Sequence, residues 1–316
     1  MSTLNVEQKL LVWRNGVSCT PASSRAMLSL KAYAKINLTL EVLGRRPDGY
    51  HEVLSILQTV DLWDALSFEE DESLSLVCDD SGLQTPDNLV LQAAELLRRE
   101  SGVSKGARIR LEKGIPVAAG LGGGSSDAAT TLNGLCSLWG LSMATEDLVA
   151  LAAKIGSDVP FFLQGGTALV QGRGEQIRPL PPAGIDWLVI VNPGIQLYEK
   201  TATLYSLLTA GDFTKGLLTH KLAGRIRGGS DVPPQLLFNV FEEVATKAFP
   251  DLVTYRNTFQ SAGATEVHLS GSGPCMFALM PRREIGSAIQ LLLQHSYGME
   301  AFLVGSYTPS QEQDGE

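Results

Sequence analysis

The chain has 316 residues, 44% of them hydrophobic and 19% charged, with a formal charge of −9 at neutral pH. That length holds one large core or two moderate ones. The acidic balance argues against a nucleic-acid or anionic-membrane binder, since both want a basic surface, and it means that an anionic ligand must be held by local donors.

Residues 1–26 show no hydrophobic periodicity and no continuous apolar region of the kind a secretory signal needs. They read as a disordered leader or as a start placed too early, ahead of Met27. A transit peptide fits less well, because Glu7 comes early and only Lys9, Arg14 and Arg25 are basic. Over residues 30–42 apolar and polar residues alternate without a break, which predicts a strand. Its apolar face is Leu30, Ala32, Ala34, Ile36, Leu38, Leu40 and Val42; Lys35 and Asn37 share the other face, turned away from the core. Pro47-Asp48-Gly49 is turn chemistry, and LSILQTV, ALSFEE and SLSLVC read as further strands.

TPDNLVLQAAELLRRESG predicts a helix capped by Asp87 or Asn88 and ended by Gly102. ARIRLEKGIP is a strand that runs into AGLGGGSSDAAT, after which Ala128, Ala129, Leu132, Leu135, Cys136 and Trp139 fall at helical spacing. TEDLVALAAKIG predicts another helix with Thr145 as its cap. GSDVPFF leads to the strand pair GGTALVQG and EQIRPL across Arg173-Gly174. Pro181-Pro182 marks the expected domain boundary. Beyond it DWLVIVNP reads as a strand, and YEKTATLYSLL, PQLLFNVFEEVATKAF and DLVTYRNTFQSAG as helices. EVHLSGSGPCMFALM reads as two strands pinched around Gly271, Ser272 and Gly273, followed by a helix from Arg282 and a last strand near AFLVGSY. Strands and helices mix without regular βαβ alternation, which favours α+β. No apolar run reaches the length of a bilayer span. Cys19, Cys78, Cys136 and Cys275 are scattered, which reads as reduced thiols with no metal or disulfide. The polar end, residues 311–316, reads as a disordered tail.

The glycine-rich segment sits where a strand turns into a helix. Glycines let backbone N–H groups approach an anion, the first helical turn adds its dipole, and Ser125 and Ser126 add hydroxyls for phosphate or magnesium. Two familiar templates fail: Gly124 stands where a Walker A loop needs Lys, and Ser125 where the Rossmann fingerprint needs its last Gly. A tightly packed helix start is the plain alternative. Taken singly, Asp158 reads as a turn or cap residue, Lys35 as an ordinary strand-face residue, His51 beside Tyr50 as hairpin packing, and the 271–273 segment as a turn.

Together, AYAKINLTLEVLGRRPDGYHE, IPVAAGLGGGSSDAATTLNGL, IGSDVPFFLQGGTALVQGRGE and HLSGSGPCMFAL resemble the ordered motifs of the GHMP kinase superfamily over residues 28–308. The resemblance implies a two-domain α+β GHMP kinase fold. Residues 27–180 would form a ribosomal S5-like ATP-binding domain and residues 181–310 an α/β domain, with the active site in the cleft between them. It implies ATP with Mg²⁺ as cofactor. The acceptor hydroxyl would be the 2-hydroxyl of a methylerythritol carrying a diphosphocytidyl group, in the non-mevalonate route to isoprenoid precursors. Lys35 and Asp158 match the catalytic pair. Asn88 with Pro116, Val117, Ala118, Ala119, Gly120, Leu121, Gly122, Gly123, Gly124, Ser125 and Ser126 match the ATP site, Ser126 being the expected magnesium contact. Asn37, Tyr50, His51 and Tyr205 match the acceptor side, and Gly271, Ser272 and Gly273 a supporting loop. The paired alanines of PVAAGLGGG stand where some relatives have glycines, and the leader has no counterpart. Expected partners are the small-molecule substrate alone, with no nucleic acid and no membrane. A monomer or weak dimer is expected, in the cytoplasm or, with a transit peptide, in a plastid. Two other readings remain open: a kinase of this fold with a different acceptor, and a binding protein that has lost catalysis.

Overall fold

The computed structural model describes residues 27–195 and 199–308; the expected leader and tail lie outside them. The alternating segment forms β1 (Leu28–Arg45), which pairs antiparallel with β2 (His51–Asp71) along nearly its whole length. Two runs read separately from the sequence are one strand. The register shifts between Tyr33 opposite Trp63 and Ala34 opposite Val60, an irregularity that bends a strand without ending it. Because β2 is long it serves two neighbours. Residues 65–71 pair with β4 (Gly106–Glu112), and residues 53–58 pair with β5 (Thr167–Gly172). β3 (Leu74–Cys78) adds parallel to β4, and β6 (Gln176–Leu180) folds back on β5.

Four helices pack on this sheet: α1 (Leu89–Ser101), α2 (Gly123–Trp139), α3 (Thr145–Ile155) and the one-turn α4 (Val159–Phe162). Their shared core includes Phe68, Leu97, Ile109, Leu132 and Leu135. Asn88, not Asp87, caps α1, its side chain accepting from Val90 N at 2.9 Å. α3 begins one residue earlier than expected: Ala144 holds the cap position without a side-chain bond and Thr145 is already helical. GSDVPFF does not run straight into a strand, because Val159 to Phe162 make a helical turn with Asp158 at its cap position.

The second sheet, in the order β11-β7-β10-β9, is antiparallel throughout: β11 (Glu300–Val304), β7 (Trp187–Asn192), β10 (Met276–Met280) and β9 (His268–Leu269). Around it lie α5 (Lys200–Leu207), α7 (Phe241–Ala248), α8 (Asp251–Ser261) and α9 (Arg283–Tyr297), while α6 (Leu217–Arg227) packs against β1, β2 and β6 of the first sheet. Two features depart from the sequence reading. α6 was not anticipated, because its apolar positions Leu222, Ala223 and Ile226 are diluted by basic residues and glycine. The single helix expected over residues 234–249 is instead a 3₁₀ turn (Pro234–Leu236), a short strand β8 (Phe238–Asn239) and then α7. β8 pairs parallel with β1 at Thr39 and Leu40, joining the second half of the chain to the first sheet.

That joining buries a face expected to be open. Lys35, Asn37, Thr39 and Glu41 are 4%, 6%, 0% and 1% exposed. Glu41 Oε2 accepts from Thr219 N in the first turn of α6 at 2.8 Å, a favourable place for a carboxylate. Thr219 Oγ1 bonds Thr39 Oγ1 at 2.9 Å. An alternating polar face looks solvent-directed in a sequence; here it is the seam between the two halves. Among the described residues no helix is long and apolar enough to cross a membrane.

Candidate active site

The glycine segment is positioned by a buried carboxylate upstream. Asp64 is fully buried on β2, and its Oδ1 accepts from Gly114 N and Ile115 N at 2.7 and 2.8 Å. Its Oδ2 takes Lys113 Nζ at 2.5 Å, and the same ammonium reaches Asp127 Oδ2 at 2.9 Å. Burial would lower the Lys113 ammonium, yet Asp127 and Asp64 together hold it above its ordinary value. Asp127 is driven well above the usual carboxylate range, first by burial and then by the Asp64 charge. Its Oδ1 is buried without a partner.

From this anchor the chain passes through the glycines into α2. Gly122 takes the cap position with φ +75° and no side-chain bond, so the first-turn amides are left for a ligand. Gly120 has φ +86°, and a Cβ there would lie 2.2 Å from the Ser270 carbonyl oxygen. Ser270 Oγ donates to Gly120 O at 3.0 Å and Cys275 N to Ala119 O at 3.1 Å, so the loop is laced to the distal turn. Gly120→Ala meets both the backbone strain, about 1–3 kcal/mol, and this clash. We expect it to weaken ATP binding by roughly tenfold or more. Calorimetry on the variant checks this, and an unchanged Kd would mean that the loop does not seat phosphate.

The loop forms one wall of a cleft of about 530 Å³. The cleft brings together Lys35, Asn37, Asn88, Asp158 and Tyr205, loop residues 116–120 and 122–125, and Gly271 with Ser272. Five expected residues are off the wall: Tyr50 and His51 of the acceptor side, and Leu121, Ser126 and Gly273. Leu121 is buried at 1% exposure, Gly273 is buried within the distal turn, and Ser126 is 2% exposed and lines a separate cavity. The hydroxyl that faces the cleft is therefore Ser125, one helical position earlier. Ser126 stands a third of a turn further round and points away.

Lys35 Nζ lies 3.6 Å from Asp158 Oδ2, with side-chain exposures of 5% and 38%. The ammonium is aimed by Asn37, whose Oδ1 accepts from it at 2.7 Å; Asn37 Nδ2 in turn donates to Ser55 Oγ at 2.9 Å, and Ser55 Oγ donates to Thr39 O. Asp158 makes no capping bond to α4, which leaves its carboxylate free to act on a ligand. The distal turn closes over this pair: a Cβ on Gly271 would lie 3.3 Å from Lys35 Nζ. Asn239 fixes that turn by donating to Leu269 O and Gly271 O, both at 2.8 Å.

The aromatic side chains stand beside the cleft. His51 stacks on Tyr205 with centroids 4.8 Å apart and planes at 23°. Tyr50 is 56% exposed, with the Arg173 guanidinium 4.8 Å over its ring, and Arg173 itself lines the cleft. Burial, then the Arg45 charge, lowers the His51 imidazole, and its Nε2 is buried without a partner. Burial, then the Asp158 charge, pushes the Tyr205 phenol up to about 12, so both rings are neutral at pH 7. Sequence reasoning missed Asp64, Lys113, Asp127, Arg173, Lys200 and Asn239. A signal existed for Asp64, a charge at the centre of LWDAL, and for Asp127, an acid directly after the paired serines.

Residues 88–166 match the family described as GHMP kinases N terminal domain, and residues 223–297 match GHMP kinases C terminal. A curated relative from Dehalococcoides mccartyi, named 4-diphosphocytidyl-2-C-methyl-D-erythritol kinase, is 42% identical over 284 residues, covering 90% of this chain and 99% of its own. A protein of the same name from Symbiobacterium thermophilum is 41% identical over 270 residues, covering 83% and 94%. A crystal structure of 4-(cytidine 5'-diphospho)-2C-methyl-D-erythritol kinase superposes with TM-score 0.74 at 33% identity, covering 88% of this chain and 99% of that one. Homoserine kinase from Cytophaga hutchinsonii superposes with TM-score 0.69 at 18% identity, covering 92% and 98%, which speaks to the fold alone.

Proposed function

The chain belongs to the GHMP kinases, in the branch of the 4-diphosphocytidyl-2-C-methyl-D-erythritol kinases, and from that membership we propose how its cleft phosphorylates 4-diphosphocytidyl-2-C-methyl-D-erythritol. It is a small-molecule kinase that uses ATP. The observation that carries the residue assignment is the Lys35–Asp158 pair, 3.6 Å apart, on the wall of the cleft that also holds the glycine loop.

Phosphoryl transfer asks mainly for positioning and charge stabilisation. The amides at the start of α2 and the loop residues from Pro116 hold the ATP phosphates, with Asn88 toward the adenine. The acceptor hydroxyl is the one on C2, a tertiary alcohol that is hindered and weakly acidic. Asp158 orients it and receives its proton as the oxygen bonds to the γ-phosphorus and the bond from that phosphorus to the bridging oxygen of ADP breaks. Lys35, steadied by Asn37, neutralises the charge that builds on the transferred group. Magnesium prefers oxygen donors. Oxygen donors on this wall include the Ser125 hydroxyl and Asp127, whose unpartnered Oδ1 would hold the ion on giving up the proton that burial favours there, so that magnesium would offset charge on the phosphates. Residues 27–180 and 181–310 form the two domains of this reading.

Cytosine recognition falls to the aromatic group. Tyr205 offers a stacking face, Tyr50 an exposed ring able to cover the base, and the neutral His51 an acceptor for its amino group. Tyr205→Ala should raise the KM of the acceptor by roughly 10- to 100-fold, the usual cost of losing one base-stacking ring, and leave the KM of ATP unchanged. Steady-state kinetics with each substrate varied checks this, and a change confined to ATP would reverse the two ends of the cleft. The position of transfer is read by ³¹P NMR of the product. C2 carries no hydrogen, so the new phosphate ester should show no three-bond coupling to a proton, whereas transfer to O1 or O3 would show it and refute the assignment.

A further inference from the structure

Lys200, the first residue of α5, belongs to none of the motifs that mark the site, yet it reaches across to the first half of the chain. Its Nζ donates to the carbonyls of Ala118 in the phosphate loop and of Gly273 in the distal turn. Beside it the hydroxyls of Thr201 and Ser272 bond at 2.8 Å. Ala118 has φ +52°, a left-handed backbone that a residue with a side chain adopts only when its surroundings enforce it. Lys200 thus ties the beginning of the phosphate loop to the turn that closes over Lys35, and it lines the same cleft.

Among the described residues its charge has no counter-ion. The side chain is half-buried, and the ionisable groups that act on it are the Cys275 thiol and the Lys35 ammonium, neither of them a carboxylate. Two carbonyl dipoles hold it and a second cation stands near. An ammonium withdrawn from water in that way is costly unless an anion completes its surroundings. The anion this cleft admits is a nucleotide polyphosphate. We propose that Lys200 is a phosphate-binding residue of the nucleotide site, clamping the Ala118 limb against the distal turn and giving its charge to the polyphosphate of bound ATP or ADP. This rests on the assignment of the glycine loop to phosphate made above.

Burial brings the Lys200 amine down to about 8, with Cys275 opposing the shift and Lys35 adding to it. Contact with polyphosphate raises it again. A group whose pKa is higher in the complex gives affinity that is fully present below its free value and is lost as pH rises through it. Nucleotide binding should therefore weaken above pH 8. Other ionisable groups on the walls of the cleft are Lys35 on β1, Asp87 before α1, Lys113 after β4, Asp127 on α2, Asp158 before α4, Arg173 between β5 and β6, and Tyr205 on α5 itself. Asp127 is the one whose raised pKa could imitate the effect, so the test must separate the two.

The test is calorimetric titration of the full chain with ADP from pH 7 to 9.5, a range in which the second phosphate ionisation, near pH ~6, is complete. Wild type should lose roughly tenfold or more in affinity across that range. K200M should bind about 10- to 100-fold more weakly at pH 7, as expected for loss of a hydrogen bond from a charged donor, with a flat profile. K200R keeps the charge, so it should bind within about threefold of wild type at pH 7 and stay flat to pH 9.5; it also keeps the test decisive if K200M fails to fold. Three results overturn the proposal: K200M binding as tightly as wild type, a wild-type profile that is flat, or an alkaline loss that persists in K200R and so belongs to Asp127. If wild type binds no ADP at all, the nucleotide assignment of the loop falls first and the role of Lys200 with it.

Discussion

Asp158→Asn and Lys35→Ala are each expected to lower kcat by roughly 10²-fold or more, the usual cost of removing a positioned proton acceptor or the charge that supports it. The reasons lie in the geometry. Asp158 holds the cap position of a one-turn helix without bonding it and is 38% exposed, so the amide variant should fold as wild type and lose the proton acceptor and the charge beside Lys35. Lys35 is nearly buried and held by Asn37, so its ammonium sits in one place relative to Asp158. Both variants should lower kcat and kcat/KM together, the mark of an interaction made in the transition state alone. Rapid-quench measurement of the chemical step with both substrates saturating checks this. Near wild-type turnover in either variant would remove that residue from the catalytic pair.

Asp64→Ala should cost about 3–5 kcal/mol of stability, because it leaves a buried ammonium short of its carboxylate. Asp64 is fully buried and its two oxygens serve Lys113 Nζ, Gly114 N and Ile115 N. Without it Asp127 alone faces Lys113, and two backbone N–H groups at the root of the glycine loop lose their acceptor. Asp64→Asn retains an oxygen for those amides but not the charge, so its loss should be smaller. Urea unfolding followed by circular dichroism measures both. A loss below about 1 kcal/mol in Asp64→Ala, the range of ordinary surface changes, would mean that the cluster does not anchor the loop. The KM of ATP should rise in the same variant, since the loop that starts at Lys113 would lose its footing.

Contiguous motifs made the proposed catalytic group legible. Strict alternation put Lys35 and Asn37 on one face of β1, and the structure joins them by a 2.7 Å hydrogen bond. Glycines before a helix-forming run pointed to the proposed anion seat, and Gly122 begins α2 without a side-chain cap. What the sequence hid was pairing between distant segments. Lys113 and Asp64 are 49 residues apart, and Lys200 and Ala118 are 82 apart, so no local pattern relates them. The burial of the polar face of β1 was likewise invisible, since it depends on α6 and β8 closing over it. The helix expected over residues 234–249 fails at Asn239. Its side chain accepts from Phe241 N and donates to the distal turn, bonds that compete with continuing the helix. Ser125 and Ser126 were both visible, but which of them faces the cleft is settled by the helical phase of α2.

The most direct test of the whole account is ATP-dependent phosphorylation by the purified protein, with 4-diphosphocytidyl-2-C-methyl-D-erythritol, mevalonate and homoserine offered in parallel under identical conditions. The account predicts stoichiometric ADP release and a monophosphorylated product with the cytidyl acceptor alone, lost in Asp158→Asn. Turnover of mevalonate or homoserine in preference to the cytidyl compound, or no transfer from ATP to it, would contradict it.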